Sequence, residues 1–343
     1  MITVRGLVRS FEVTECDGGL SGALRSVLRR RHRTITAVDE VSLQVGPGTV
    51  LGLLGPNGSG KTTTLKCDAG LLTPTSGTVD VLGFTPSRRE TAFLRRLGFV
   101  MGQRWQLHPD LPVAESFVLH RVIYDLDRRE FDRTRAELVE LLGVAELGSQ
   151  PARQLSLGQR MRCEFVAALL HRPPVLLLDE PTLGLDFDAQ RVIREFVRRY
   201  VHETGAAAIL TSHYLADIEA LADQVATISR GRLTFTGSLR ELQALAGDRK
   251  HLTAQLDRPL DRAVLEAIGR VVAHTTATVT IEVPRARAGA ALAALESRDD
   301  VADVSLADPP LEDTLTVLYA DAPAGSLAPA AADIGGASGA ASR

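Results

Sequence analysis

The stretch Leu51–Leu65, LGLLGPNGSGKTTTL, decides the fold. An apolar run read as a buried strand, TVLGLLG, ends in a loop with glycines at 55, 58 and 60, and the threonines after Lys61 open a helix. Gly55 to Thr62 fits the pattern G-x-x-x-x-G-K-[ST] in the strand–loop–helix context that the pattern needs. The glycines let the backbone turn so that successive N–H groups converge on an anion, and the positive end of the helix dipole adds to the attraction. The loop is read as a phosphate cradle made of Gly55, Pro56, Asn57, Gly58, Ser59, Gly60, Lys61, Thr62 and Thr63. Lys61 is placed to reach the β- and γ-phosphates, and Thr62 to ligate Mg²⁺. A merely tight turn would need neither the lysine nor the hydroxyl. Asn57 is the only asparagine in the chain, so an Asn-Lys-x-Asp guanine reader cannot exist and adenine is favoured.

Outward from this loop, PVLLLDE (Pro174–Glu180), AAAILTSH (Ala206–His213) and QVATISRG (Gln224–Gly231) repeat the apolar strand pattern. Helical spacing lies between them, as in AQRVIREFVRRYVHETG, where Val192, Phe196 and Val197 share a face. Strands that are apolar throughout and alternate with helices predict an α/β fold with a parallel sheet covered on both sides. Residues 111–172 read as a helical subdomain inserted into that core. Beyond a linker at 238–249 the pattern changes: HLTAQLD and TVTIEVP alternate as half-buried strands do, and short helices separate them. The expected organisation is a core unit over 1–237, a small α+β unit over 250–320 and a disordered Ala/Gly/Ser-rich tail over 321–343.

Composition excludes several function classes. A net charge of −3 offers no general attraction to nucleic acid or anionic lipid, so no nucleic-acid partner is expected. No apolar run reaches the roughly 18–20 residues a membrane span requires, and the N-terminus lacks a secretory pattern. Cys16, Cys67 and Cys163 are scattered without metal-ligand spacing, which suits a reducing compartment.

The stretch QLSLGQRMRCEFVAALLHRPPVLLLDEPTLGLD, Gln154–Asp186, strongly resembles the core of ATP-binding-cassette (ABC) transporter ATPases. Leu155-Ser156-Leu157-Gly158-Gln159 matches that family's LSGGQ signature, and with the phosphate loop the motifs cover residues 1–237. The resemblance implies a P-loop NTPase that binds ATP and Mg²⁺. Asp179, ending its strand, would hold the metal through water, and Glu180 would polarise the attacking water as general base. Ser156, Gly158 and Gln159 would cap the nucleotide bound to a second subunit. Gln103 matches the family's Q-loop glutamine, which senses Mg²⁺, and Asp186 the D-loop aspartate, which crosses to the opposite subunit. His213 matches the switch histidine that contacts the γ-phosphate. One set of motifs implies a two-fold homodimer, or pairing with a second ABC ATPase, beside an integral-membrane permease. The chain would then be cytoplasmic, peripheral on the inner face of the cell membrane, in a bacterial export-type branch with separate permeases. The alternative function is a soluble ABC ATPase acting on ribosomes or DNA; the paired cassettes or coiled-coil arms usual there are missing.

Some positions depart from the pattern. The family stacks an aromatic ring on adenine; here the candidates are His32 and Phe11, separated by an insertion. That insertion places Leu20, Leu24, Val27 and Leu28 at helical spacing beside arginines, a face that packs on its own domain or meets a membrane or partner. Trp105 falls beside Gln103, where it either serves the core or lies in the family's permease-docking region. Leu157 replaces a small residue, and Asp68 occupies a position usually apolar, so Asp68 is expected to have a partner or solvent.

Overall fold

In the computed structural model of the chain, the described residues are 1–15, 31–102, 104–212, 214–245, 247–311, 315, 318 and 319. The chain opens with β1 (Ile2–Glu15), β2 (Arg31–Val45), β3 (Val50–Leu54), α1 (Lys61–Asp68) and β4 (Ser76–Val81). Then follow α2 (Thr91–Leu94), β5 (Leu97–Met101), α3 (Val113–Tyr124), α4 (Arg128–Leu141) and α5 (Leu157–Leu169). The core unit continues through β6 (Val175–Asp179), α6 (Phe187–Thr204), β7 (Ala207–Thr211), α7 (Leu215–Leu221), β8 (Gln224–Ser229) and β9 (Arg232–Gly237). The helical spacing read at Leu20, Leu24, Val27 and Leu28 and the tail read for residues 321–343 lie outside the described residues.

The central sheet has the order β5-β6-β7-β3-β8-β9. Its first five strands are parallel, as the apolar runs predict, and β9 adds an antiparallel edge. Alternation along the buried strands builds two cores. Leu176 and Leu178 of β6 face the side with α5 and α6, while Val175 and Leu177 face the side with α1 and β1. A leucine fully buried in this way stabilises the fold by about 1.5–3 kcal/mol over an exposed one. The second core is closed by an antiparallel sheet, β2-β1-β4, which the apolar-run reading did not anticipate because β1 and β2 mix polar and apolar residues. Val192, Phe196 and Val197 do face the core from α6, and Phe165, Ala168 and Leu169 from α5.

After α8 (Leu239–Ala244) comes a separate antiparallel unit: β10 (Arg249–Leu256), α9 (Arg262–Ile268), β11 (Arg270–His274), β12 (Thr278–Pro284), α10 (Arg285–Glu296) and β13 (Val301–Ala307). Its order, β11-β12-β10-β13, with a βαββαβ succession, is a split-βαβ arrangement. Leu252, Ala254, Val279, Ile281 and Val283 form one sheet face, buried in a core they share with Leu265 and Leu295 of its two helices. Leu311 and Leu315, read from the sequence as part of this unit, belong instead to the core beside α5 and α6. Among the described residues no helix is long and apolar enough to cross a membrane.

Candidate nucleotide site

The phosphate loop links β3 to α1. Gly60 takes a left-handed conformation, φ +113°, and a Cβ there would lie 2.5 Å from the Ala37 carbonyl oxygen, so only glycine fits. No side chain caps the start of α1, and its first turn carries no acid. Its leading N–H groups are therefore left to an external acceptor, which the dipole makes anionic. Lys61, only 5% exposed, donates through Nζ to the carbonyl oxygens of Gly55 (2.6 Å) and Pro56 (3.2 Å). Burial lowers its pKa, and the nearby carboxylates of Glu180 and Asp179 act in the opposite direction. The ammonium thus lies over the loop it would share with a polyphosphate.

The parallel register aligns the strand ends opposite this loop. Met101, Asp179 and Thr211 are lateral neighbours on β5, β6 and β7. Asp179 Oδ1 accepts from Thr62 Oγ1 (3.0 Å) and Thr211 Oγ1 (2.8 Å), which ties the first turn of α1 to two strand ends. Glu180 follows with φ +53°, and its N–H donates to the carbonyl and hydroxyl of Thr211. A left-handed conformation costs a non-glycine residue about 1–2 kcal/mol, and here it turns the chain sharply after the strand. The two residues missed from the sequence are Thr211 and Gly102. A hydroxyl ending the apolar run AAILT was the available signal for the first. A Cβ on Gly102 would sit 2.4 Å from the Glu180 carbonyl oxygen, so the backbone at Gly102 lies directly against that of Glu180.

Ser156 caps α5: its Oγ accepts from Gln159 N–H (3.3 Å), while Gln159 Oε1 accepts from Ser156 N–H (3.0 Å). This reciprocal capping box leaves the signature at a helix start, as its residue types predict. A Cβ on Gly158 would approach Ala189 to 2.9 Å, so α5 packs closely on α6 here. Asp186 caps α6, accepting from Ala189 N–H at 2.8 Å. Leu157, the departure from the family pattern, is 41% exposed and lies over Gly184.

Pro56, Asn57, Gly58, Ser59 and Thr63 complete the loop and first helical turn beside the Thr62–Asp179 pair. Ser156, Gly158 and Gln159 form the start of α5 instead, with Gly158 packed on Ala189 of α6. Gln103 and His213 lie outside the described residues; each follows a strand end, at Met101 and Thr211, that borders Asp179. His32 is in register with Thr14 on the β1–β2 pair, and its side chain lies outside the described residues. Phe11 pairs with Ile35, its ring 4.6 Å from the Arg9 guanidinium carbon. Trp105 packs against the core, with the Arg160 guanidinium of α5 4.4 Å from its ring centre.

The expectation for Asp68 is overturned. Its side chain is fully buried, and neither oxygen has a hydrogen-bond partner among the described residues. Burial pushes its pKa up to about 8. The folded chain therefore holds a proton that the unfolded chain releases near pH 4, so stability declines as pH rises between about 4 and 8. Asp68→Asn should remove that decline, raising the melting temperature at pH 9 by several degrees and by much less at pH 4. Equal shifts at both values would show that the carboxyl does not titrate on unfolding.

Residues 38–183 match the family described as "ABC transporter", and residues 248–306 match "EvrA-like ABC transporter, C-terminal domain". The chain is 33% identical over 307 residues to the daunorubicin resistance ATP-binding protein DrrA3 of Streptomyces coeruleorubidus, covering 85% of this chain and 94% of that one. It is 32% identical over 299 residues to the doxorubicin resistance ATP-binding protein DrrA of Mycobacterium tuberculosis, covering 84% and 89%. A solved ATP-binding subunit of an ABC transporter superposes with a TM-score of 0.59 at 25% identity, covering 71% of this chain and 91% of that chain. A dimeric cassette solved with ADP and Pi, at 22% identity and a TM-score of 0.59, shares the fold.

The chain belongs to the ATP-binding subunits of ABC transporters. It is an ATPase that drives a transporter of the export type.

Proposed function

We propose that the chain works as a pair, each copy laying its Ser156–Gln159 turn over the nucleotide on the other's phosphate loop, beneath a separate membrane permease on the cytoplasmic face. The relatives named for daunorubicin and doxorubicin resistance support an antibiotic as the cargo class. The observation that carries the reading is the Thr62–Asp179–Thr211 cluster at the mouth of the loop. A hydroxyl and a carboxylate are hard oxygen donors, the kind Mg²⁺ takes. Among the described residues no group of three His, Cys, Asp or Glu side chains could hold a metal. Thr62 and Asp179 would be the protein's share of such an ion's coordination, joined by Gln103 as the family resemblance implies, with phosphates and water supplying the rest. Bound Mg²⁺ would neutralise charge on the transferring phosphoryl group.

In this reading Lys61 neutralises the phosphates, Glu180 orients and deprotonates water, His213 holds the γ-phosphate and Asp186 reaches the facing copy. Phe11 or His32 supplies the adenine platform. The test is Thr62→Val, which keeps the shape and removes the hydroxyl. The Mg²⁺ concentration for half-maximal turnover should rise at least about tenfold, the scale of one lost charge-assisted contact. An unchanged magnesium curve would take Thr62 out of the metal site.

A further inference from the structure

One buried carboxylate lies outside every motif described above. Asp217, on α7, has no exposed surface. Its Oδ2 accepts from two hydroxyls, Thr182 Oγ1 and Ser212 Oγ, and its Oδ1 accepts from Arg194 Nε at 2.6 Å. Thr182 and Ser212 are themselves 1% and 2% exposed, so this oxygen sits where water cannot replace either donor. The two hydroxyls come from different loops. Thr182 stands two residues after Glu180 and four before Asp186, whereas Ser212 immediately precedes His213.

The network extends on both sides. Arg194 Nη2 donates to Gln190 Oε1, and Gln190 Nε2 donates to the carbonyl oxygens of Leu185 and Thr182. Ser212 Oγ also accepts from Tyr214 N–H at 3.0 Å, which fixes the backbone on the far side of His213. The 180–186 segment is thus held by Asp217 through Thr182 and by Gln190 through Leu185, and Ser212, which also holds the Tyr214 N–H, shares the Asp217 oxygen with Thr182. A buried anion with three donors keeps one geometry, because any displacement leaves a polar group unpaired.

We propose that Asp217 is a positioning residue that locks the loop bearing Glu180 and Asp186 to the loop bearing His213, so that the two turns move as one body. The proposal rests on the ATPase roles given above for those three residues. Replacing Asp217 itself would strand the Arg194 charge and endanger folding, so the informative variants are Thr182→Val and Ser212→Ala, which leave the Asp217–Arg194 pair intact.

Hydrogen–deuterium exchange on the nucleotide-free full chain reads the lock without reference to turnover. Thr182→Val should speed exchange in the 212–214 segment, and Ser212→Ala in the 180–186 segment. In steady-state hydrolysis each variant should lower kcat about tenfold with the KM for ATP changed less than about twofold, since positioning acts on the reacting atoms rather than on binding. The double variant should lose no more than the worse single one, because both act through one oxygen. Faster exchange confined to the substituted loop, unchanged kcat, or losses that multiply would overturn the proposal. If the unsubstituted chain failed to turn over ATP, the ATPase reading would fall while the exchange result still decided the lock.

Discussion

Glu180→Gln is expected to bind ATP with nearly the affinity of the unsubstituted chain and to lose between about 10² and 10⁴ in kcat. The amide keeps the shape of the side chain at the sharp turn after β6, where φ is +53° and the N–H is held by Thr211. What disappears is the ability to take a proton from water. Single-turnover hydrolysis with saturating ATP measures that step apart from binding and product release. A rate within a factor of three of the unsubstituted chain would remove Glu180 from the chemistry.

Lys61→Ala acts on the opposite term. The ammonium is buried over the loop, bonded to the Gly55 and Pro56 carbonyls, and its removal deletes a charge-assisted contact to phosphate worth about 1.5–3 kcal/mol. Calorimetric ATP affinity should fall roughly 10- to 150-fold, at 1.4 kcal/mol per tenfold. AMP, which lacks the β- and γ-phosphates, should be affected far less. Equal losses for ATP and AMP would mean that the substitution collapses the loop.

Much of this site was legible in the sequence because its chemistry is local. A strand, a glycine loop and a helix start are contiguous, so Gly55 to Thr62 announces its own geometry. The same holds for the capping box at Ser156, where Gln159 stands three residues on. The parallel core was legible because a strand buried on both faces must be apolar throughout. What escaped depends on contacts between distant segments. Thr211 matters because the β6–β7 register sets it beside Asp179, and register is not written in either strand alone. Asp217 draws its donors from residues 182, 194 and 212, which no spacing rule connects. Asp68 illustrates the converse: chemical reasoning asked for a partner, and the fold buries the side chain without one among the described residues, in a protonated form. The β2-β1-β4 sheet escaped because strands half covered on a surface carry a weaker pattern than fully buried ones.

In the proposed pair two copies clamp ATP between them, each supplying the turn at Ser156 that the other's phosphate loop lacks. Sedimentation of the Glu180→Gln chain with ATP and Mg²⁺ decides whether this pair forms. The expected mass is that of two chains, reverting to one when ATP is replaced by ADP or when Ser156→Arg is added. A single-chain mass at saturating ATP, unchanged in the presence of its permease, would contradict it.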